Sequence, residues 1–153
     1  MPLLSPHLTV AEFIGTSHRD MLDAQDKAWV QTPGLQATAS RFAGSVFEPV
    51  RRLLGPLHVN SGFRCPLLNL QVGGAAQSRH MLGLAVDVVP VEGDLPHAMR
   101  TLASALAAGV LPDIDQAIIE CGRWLHIQGA PVGVEPRRMA LYSADGKVFS
   151  YYA

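Results

Sequence analysis

The chain has 153 residues, of which 48% are apolar and 16% are charged, and its 12 Lys and Arg nearly balance 13 Asp and Glu. This composition predicts a single folded domain over residues 1–153 and excludes a disordered chain. The net charge of −1, without any run of basic residues, gives no electrostatic support to a nucleic-acid partner, and we expect none.

The first residues, MPLLSPHLTVAEF, lack the basic and apolar regions of a signal peptide, and no apolar run reaches the ~20 residues that a membrane-spanning helix needs. We therefore expect a protein that is made in the cytoplasm, has no membrane span and needs help from another protein for any export. Cys65 and Cys121 are interpreted as free thiols, because two cysteines in a chain of this size do not require a disulfide.

Helical patterns dominate the first half of the chain. Thr9 and Glu12 form a capping-box sequence, which predicts a short helix that begins near Val10. Apolar residues recur at three- and four-residue spacing over 36–54, which predicts an amphipathic helix that Pro49 kinks or divides. Two further helical segments are predicted at 17–29 and, before a Gly-Gly pair, at 66–72.

Strands are predicted mainly in the second half. Strand-like runs occur at 57–63, 84–89, 115–120, 123–128, 139–142 and 148–152. The last four runs form two pairs, each joined by a turn sequence, which predicts two hairpins. Between the strands, Asp94 caps and Gly109 ends a predicted helix over 95–108. The predicted fold class is α+β, with a mostly antiparallel sheet and helices packed on it.

Three side chains in this pattern could bind a metal ion. His80 and Asp87 are separated by six residues that include a glycine, so the chain can turn and bring Asp87 back on a strand. His126 lies on a later strand and shares one face with Trp124 and Gln128. If that face looks toward Asp87, the result is a two-histidine, one-carboxylate site. Such a set suits Zn²⁺ and leaves one position open, as in catalytic zinc sites.

Glu120 ends the neighbouring predicted strand, six residues before His126. A hairpin turn between them would hold the Glu120 carboxylate beside the metal without ligating it, which is where a general base belongs. Taken singly, however, a histidine is more often a core or surface residue and an aspartate is more often a helix cap. Spacing alone therefore leaves a structural interpretation open.

Three motifs follow one another along the chain: Ser61-Gly62-Phe63-Arg64, then SRHMLGLAVD at 78–87, then Glu120 with Trp124-Leu125-His126. In this order they resemble SGxR, SxHxxGxAxD and E…WxH of the M15 family of zinc peptidases, which includes D-Ala-D-Ala carboxypeptidases and phage L-alanyl-D-glutamate endopeptidases. The resemblance covers roughly residues 5–130. It implies a hedgehog/DD-peptidase-like fold, and the six-residue step from Glu120 to His126 is similar to that in the hedgehog signalling domain.

The resemblance also implies functional roles for these residues. Zn²⁺ would be bound by His80, Asp87 and His126, and Glu120 would be the catalytic base that takes a proton from the hydrolytic water. Arg64 would be catalytic too, since a guanidinium near the metal can stabilise an oxyanion or bind a substrate carboxylate.

Other polar residues receive less specific predictions. Ser78 is expected to brace its loop or contact the substrate, and Trp124 to form part of the substrate pocket wall. Asp115 and Gln116 either orient metal ligands or simply begin a strand. The remaining histidines are expected to be structural or solvent-facing: His7, His18, His58 and His97. Tight turns near the metal are expected at Gly62, Gly83 and the pair Gly73-Gly74.

The resemblance implies a zinc metallopeptidase that hydrolyses peptide bonds in the stem peptides of bacterial peptidoglycan. A phage or prophage endolysin released through a holin and a virion-associated peptidase both fit, and we expect a monomer. The alternative is a non-catalytic zinc-binding structural or virion-associated binding protein of the same fold, and a zinc amidase is a third. The sequence leaves open which peptidoglycan bond is cleaved, and so whether the enzyme is a carboxypeptidase or an endopeptidase.

Overall fold

The strands of the computed structural model, which describes residues 2–152, form two sheets. A small sheet pairs β1 (Leu3–Ser5) with β2 (Leu8–Thr9). The main sheet has six strands in the order β3-β4-β6-β5-β7-β8. These are β3 (Leu57–Ser61), β4 (Ala85–Pro90), β5 (Ile114–Glu120), β6 (Trp124–Gly129), β7 (Met139–Ser143) and β8 (Ser150–Tyr151).

Neighbouring strands of the main sheet run antiparallel, except that β5 and β7 are parallel. The two predicted hairpins are present as β5–β6 and β7–β8. Together with the helices, this sheet confirms the predicted mixed α+β class with mostly antiparallel pairing. The small sheet and the parallel pair were not predicted.

Within residues 2–152, six α-helices accompany the sheets: α1 (Val10–Ile14), α2 (Leu22–Gln31), α3 (Leu35–Phe42), α4 (Glu48–Leu54), α5 (Pro66–Gln71) and α6 (Leu95–Ala107). Two short 3₁₀ turns occur at Arg19–Met21 and Arg79–Leu82. The predicted capping box is confirmed: the Glu12 N–H donates to Thr9 Oγ1 at 3.0 Å, and the Thr9 N–H donates to Glu12 Oε2 at 2.8 Å. Asp94 caps α6 as predicted.

The expected break at Pro49 is a π-helical segment, Ala43–Phe47, that joins α3 to α4. Proline has no N–H for the α-helical bond to the residue four before it, and its ring crowds that carbonyl. The Glu48 N–H reaches back to the Ala43 oxygen instead. The turn before Pro49 therefore contains one more residue than an α-helical turn, as in a π-bulge, and the helix continues beyond it.

The main sheet packs one face against the helices. Leu125 and Ile127 of β6 point into the core, where they join Phe42 of α3 and Leu102 of α6, and all four are at most 1% exposed. Because strand side chains alternate, the residues between them point to the opposite face. That opposite face carries the polar residues considered next.

The small N-terminal sheet is held by a buried carboxylate. Glu48 of α4 accepts hydrogen bonds from Ser5 Oγ at 2.7 Å and from the His7 N–H at 3.1 Å, and its Oε1 lies 2.6 Å from His7 Nδ1. Burial alone would raise the pKa of Glu48, but the bonds from His7 and Ser5 lower it. His7 thus has a structural contact, in line with its prediction.

Two further sequence predictions can be checked here. Both cysteines are free thiols, with Cys65 buried and Cys121 partly buried. Over residues 2–152, no helix combines the length and apolar character needed to cross a membrane.

Candidate metal centre

Three buried side chains from separate elements meet on the polar face of the main sheet. His80 comes from the 3₁₀ turn before β4, Asp87 from the middle of β4 and His126 from β6. One ligand atom from each lies within 4.8 Å of the others, and each residue is at most 8% exposed. The structure thus brings together the three residues predicted as metal ligands.

The His80 ring is oriented by the backbone around it. Its Nδ1 lies 2.7 Å from the Gly62 carbonyl oxygen, which can only accept, so Nδ1 carries the proton and Nε2 has the free lone pair. Nε2 points at Asp87 Oδ1, 3.3 Å away. Ser78 Oγ caps the 3₁₀ turn by accepting from the His80 N–H at 3.2 Å. Gly83 ends the turn at φ +73, which lets the chain double back into β4.

His126 faces the same carboxylate from the neighbouring strand. Its Nδ1 lies 3.0 Å from Asp87 Oδ1, and its Nε2 lies 2.8 Å from Gln128 Oε1. The rings of His80 and His126 are 5.1 Å apart in an edge-on arrangement. Burial alone would lower the pKa of His126, but Asp87 raises it, followed by the nearby Glu120 charge. Burial lowers the pKa of His80, which keeps this ring neutral.

Asp87 is shared between the histidines and an arginine. Arg64 donates from Nη2 to Asp87 Oδ2 at 3.1 Å and from Nε to Ser61 Oγ at 3.1 Å. Burial would raise the pKa of Asp87, but the charges and hydrogen bonds of His80 and His126 lower it far below its usual range. The carboxylate is therefore ionised and can act as an anionic ligand.

The donor set fits a metal ion. Two imidazole nitrogens and a carboxylate oxygen converge, and both histidines have their other ring nitrogen placed against a hydrogen-bond acceptor. Zinc sites in proteins use these ligand types, and their histidines usually donate the second N–H to such acceptors. His80, Asp87 and His126 could thus bind Zn²⁺.

Glu120 lies beside this cluster rather than within it. Its Oε1 is 3.9 Å from His126 Nδ1, and the side chain is partly buried at the end of β5. Burial raises the pKa of Glu120; the Asp87 charge adds to this effect, whereas the charges of His126 and Arg64 oppose it. The six-residue step across the β5–β6 turn therefore places Glu120 beside His126 and outside the group of candidate ligands, and its role as a base stays a prediction.

His80 and His126 of the cluster line a cleft of about 660 Å³, within the ~300–1,000 Å³ typical of ligand pockets. Arg64, Ser78, Gln116, Glu120 and Trp124 all line the cleft. The Trp124 indole N–H is buried and forms no well-aligned hydrogen bond within residues 2–152, but it lies close enough to the Glu120 carboxylate to lower the pKa of that group. Several lining residues come from the last part of the chain: Arg137, Asp145, Gly146, Lys147 and Phe149.

The glycine predictions need correction at two positions. Gly73 and Gly83 have positive φ, as expected for tight turns, but Gly62 and Gly74 do not. A Cβ at Gly62 would instead collide with the Phe13 backbone oxygen and lie 2.7 Å from the Phe13 ring. Gly62 is thus required by close packing and not by a special backbone angle.

Two polar residues of this face have contacts that the sequence does not predict. The sequence places Gln128 only on the same strand face as His126, and the structure places its amide oxygen against the His126 ring. Asp115 is 1% exposed and touches Gln128 and Arg137 rather than a metal ligand. The alternation of β6 was the signal that could have identified Gln128.

The chain matches the model of a known protein family. The model of a family described as Peptidase M15 matches residues 6–128, which include all three motifs and the His80, Asp87 and His126 cluster. This confirms the resemblance drawn from the motifs. No curated protein matches the chain.

Proposed function

Because this chain belongs to the peptidase M15 family, we propose that it is a zinc metallopeptidase that hydrolyses peptide bonds in the stem peptides of bacterial peptidoglycan. One observation carries the proposal: the buried His80, Asp87 and His126 lie beside Glu120 and Arg64 at an open cleft. A cluster that only stabilised the fold would need neither a cleft nor an adjacent carboxylate outside the ligand set.

In this proposal His80 would bind the metal through Nε2, His126 through Nδ1 and Asp87 through a carboxylate oxygen. A zinc ion bound there supplies a Lewis acid that polarises the substrate carbonyl and makes water acidic enough to react near neutral pH. The hydrogen bond from Arg64 to Asp87 holds the carboxylate in place. The bond from His80 Nδ1 to Gly62 does the same for that ring.

Glu120 acts as the general base. Its carboxylate is partly buried, lies near His126 and is not one of the clustered ligands. It accepts a proton from the attacking water and returns it to the leaving amine when the peptide bond breaks. Such proton transfer by a positioned side chain contributes typically about 10²- to 10⁴-fold to the rate.

Arg64 stabilises the negative charge that develops on the carbonyl oxygen. A guanidinium has five N–H donors. Arg64 uses its Nε–H to contact Ser61 and one of the two N–H groups on Nη2 to contact Asp87. The side chain lines the cleft, so its remaining donors and its charge are available to the substrate. Preorganised donors of this kind stabilise the transition state more than the ground state.

Ser78 and Trp124 contact the substrate at the cleft wall. Ser78 already braces the His80 turn through its hydroxyl oxygen. The buried Trp124 N–H lies near Glu120 without a well-aligned hydrogen bond among the described residues, and a substrate carbonyl would give it a better acceptor. An unsatisfied buried donor is costly, so this bond would favour a peptide substrate.

The biological setting belongs to the same proposal. We place the protein in cell-wall degradation by a phage or prophage, acting as a monomer, either as an endolysin released through a holin or as part of a virion. The motif resemblance supports this setting, and both the D,D-carboxypeptidase and the L-Ala-D-Glu endopeptidase activities fit it.

The test is digestion of purified peptidoglycan by the zinc-loaded protein, with mass spectrometry of the released fragments. Free D-Ala would identify a carboxypeptidase, and new amino termini on D-Glu would identify an endopeptidase. Glu120→Gln should retain zinc and cut about 10²- to 10⁴-fold more slowly. The matched control is Glu92→Gln, which changes an exposed carboxylate and should cut like the wild type.

Three outcomes would contradict parts of this proposal. If Glu120→Gln cuts at the wild-type rate, Glu120 is not the base. If intact stem peptides are released, the enzyme is an amidase. If the wild type releases nothing with any divalent metal, the non-catalytic zinc-binding alternative replaces the peptidase.

A further inference from the structure

We propose that Gln128, Asp115 and Arg137 form a hydrogen-bonded relay that fixes which ring nitrogen of His126 faces the metal. The relay is continuous: His126 Nε2 lies 2.8 Å from Gln128 Oε1, and Gln128 Nε2 donates to Asp115 Oδ2 at 2.8 Å. Arg137 then donates from Nη2 to Asp115 Oδ2 at 2.7 Å and from Nε to Oδ1 at 2.9 Å. The inference rests on the proposed metal site.

The direction of the relay is set at its far end. Asp115 is 1% exposed, and although burial would raise its pKa, the hydrogen bonds from Arg137 lower that pKa to about 2. Asp115 is therefore ionised at neutral pH and can only accept hydrogen bonds. The Gln128 amide must turn its NH₂ group toward Asp115, which leaves its oxygen facing His126.

The orientation of the Gln128 amide in turn determines which nitrogen of His126 carries a proton. An amide oxygen only accepts, so the His126 nitrogen that faces Gln128 must carry a proton. That nitrogen is Nε2. With Nε2 protonated, the neutral ring has its lone pair on Nδ1, and Nδ1 is the atom that faces Asp87. The relay thus selects the one neutral form of His126 that can bind a metal in the cluster.

Burial makes the selection strict. Gln128 is 7% exposed and Asp115 is 1% exposed, so a reversed amide would place the Gln128 oxygen against the ionised Asp115 carboxylate, two acceptors with little access to water. Buried polar groups left unpaired destabilise the folded protein, so the observed amide orientation is favoured. Gln128 and Asp115 are therefore positioning residues, because they act on the metal through His126 and do not reach it.

The relay also connects the site to the end of the chain. Arg137 lies beyond residues 6–128, the part that the family model matches. Its backbone N–H donates to Asp115 Oδ1 at 3.0 Å as well, so the segment before β7 is attached to the start of β5 at this point. The metal site consequently depends on a segment outside the matched region.

The test measures zinc binding and the proton on His126 in the full chain, without substrate. Zinc affinity is obtained by competition with a chelator, and the ring nitrogens are observed by NMR of zinc-loaded, ¹⁵N-histidine-labelled protein, with His126→Gln used for assignment. Gln128→Leu and Asp115→Asn should lower zinc affinity about 10- to 100-fold. The protected His126 Nε2–H signal of the wild type should be lost or weakened in both.

Asp115→Asn is the sharper variant because it preserves shape. The new amide can offer its NH₂ group to Gln128, which lets the Gln128 amide reverse and removes the preference for a proton on His126 Nε2. The matched control is Asp94→Asn, an equally conservative change at the N-cap of α6. This control should leave zinc affinity and the Nε2–H signal unchanged.

Arg137→Gln tests the other end of the relay, at a side chain that is about half exposed and so tolerant of substitution. Like Asp115→Asn, it should lower the zinc affinity and weaken the His126 Nε2–H signal. If both variants bind zinc within twofold of the wild type and keep the Nε2–H signal, the relay is overturned. Failure of the wild type to cut peptidoglycan would instead count against the proposed function, because neither measurement involves cleavage.

Discussion

Asp87 and His126 lie directly opposite each other on β4 and β6, with His126 Nδ1 3.0 Å from Asp87 Oδ1. Side chains opposite each other in an antiparallel pair have Cβ atoms about 4.5–5.5 Å apart, which is close enough for both to contact one ion. Strand pairing therefore brings together two candidate ligands that are 39 residues apart in sequence. A shift of one residue in the register between β4 and β6 would move one of the two side chains to the other face of the sheet.

Removal of any clustered ligand should abolish stabilisation by zinc. At a free zinc concentration 100 times Kd, a bound ion stabilises the folded state by about 2.7 kcal/mol, or roughly 5–10 °C in Tm for a chain of this size. Asp87→Asn, His80→Ala and His126→Ala should lose this increase, as measured by thermal unfolding with zinc and with a chelator. His97→Ala, at an exposed histidine, should keep it. A full zinc-dependent increase in all three ligand variants would refute the metal site.

Arg64→Lys should slow peptide cleavage more than it weakens zinc binding. A lysine has a single nitrogen and cannot contact Ser61, Asp87 and a developing oxyanion together as the guanidinium can. Loss of one preorganised donor lowers kcat about 10²- to 10³-fold in comparable sites. The measurement is kcat at saturating zinc, with the exposed Arg100→Lys as the control. An unchanged kcat would show that Arg64 only holds Asp87.

Sequence motifs predicted the cluster because its residues obey local rules. His80 and Asp87 lie in one short stretch with a glycine turn between them, and the alternation of β6 turned His126 away from the core. The β5–β6 hairpin was readable from its turn, and it placed Glu120 near His126. The roles of these residues in catalysis remain predictions.

The hydrogen bonds of Asp115 and the parallel β5–β7 pair could not be predicted, because they depend on contacts between distant parts of the chain. The interaction of Gln128 with Asp115 requires the β5–β6 register, and that of Asp115 with Arg137 requires the path of the chain into β7. The parallel pairing of β7 with β5 leaves no turn signal in the sequence, since its two strands are not joined by a hairpin. Gln128, Asp115 and Arg137 each look like ordinary polar residues when considered singly.

The ion pair between Arg137 and Asp115 should make stability depend on pH in the acid range. Because the pKa of Asp115 is lowered from 3.8 to about 2 in the folded protein, its contribution is complete above about pH 4 and is lost as pH falls through 2. Arg137→Leu leaves the buried carboxylate unpaired and removes this contribution.

The check is urea unfolding of the wild type and of Arg137→Leu at pH 7 and pH 3, both without metal. The difference in unfolding free energy between the two proteins should be larger at pH 7 than at pH 3. Groups that titrate equally in both proteins cancel in this difference. A difference of the same size at both pH values would show that Asp115 is not stabilised by Arg137.

Gly62→Ala should weaken both the fold and the metal site. The added Cβ would collide with the Phe13 backbone oxygen, which accepts from the Phe63 N–H at 2.7 Å, so either α1 or the end of β3 must move. Overpacking of this kind typically costs about 1–3 kcal/mol. The Gly62 carbonyl also accepts from His80 Nδ1, so its displacement should lower zinc affinity too. Gly44→Ala, in the helical segment Ala43–Phe47 where a Cβ meets nothing within 4 Å, should lower neither the unfolding free energy nor the zinc affinity, because alanine is favoured over glycine in a helix. Equal behaviour of the two variants would mean that Gly62 has no packing constraint.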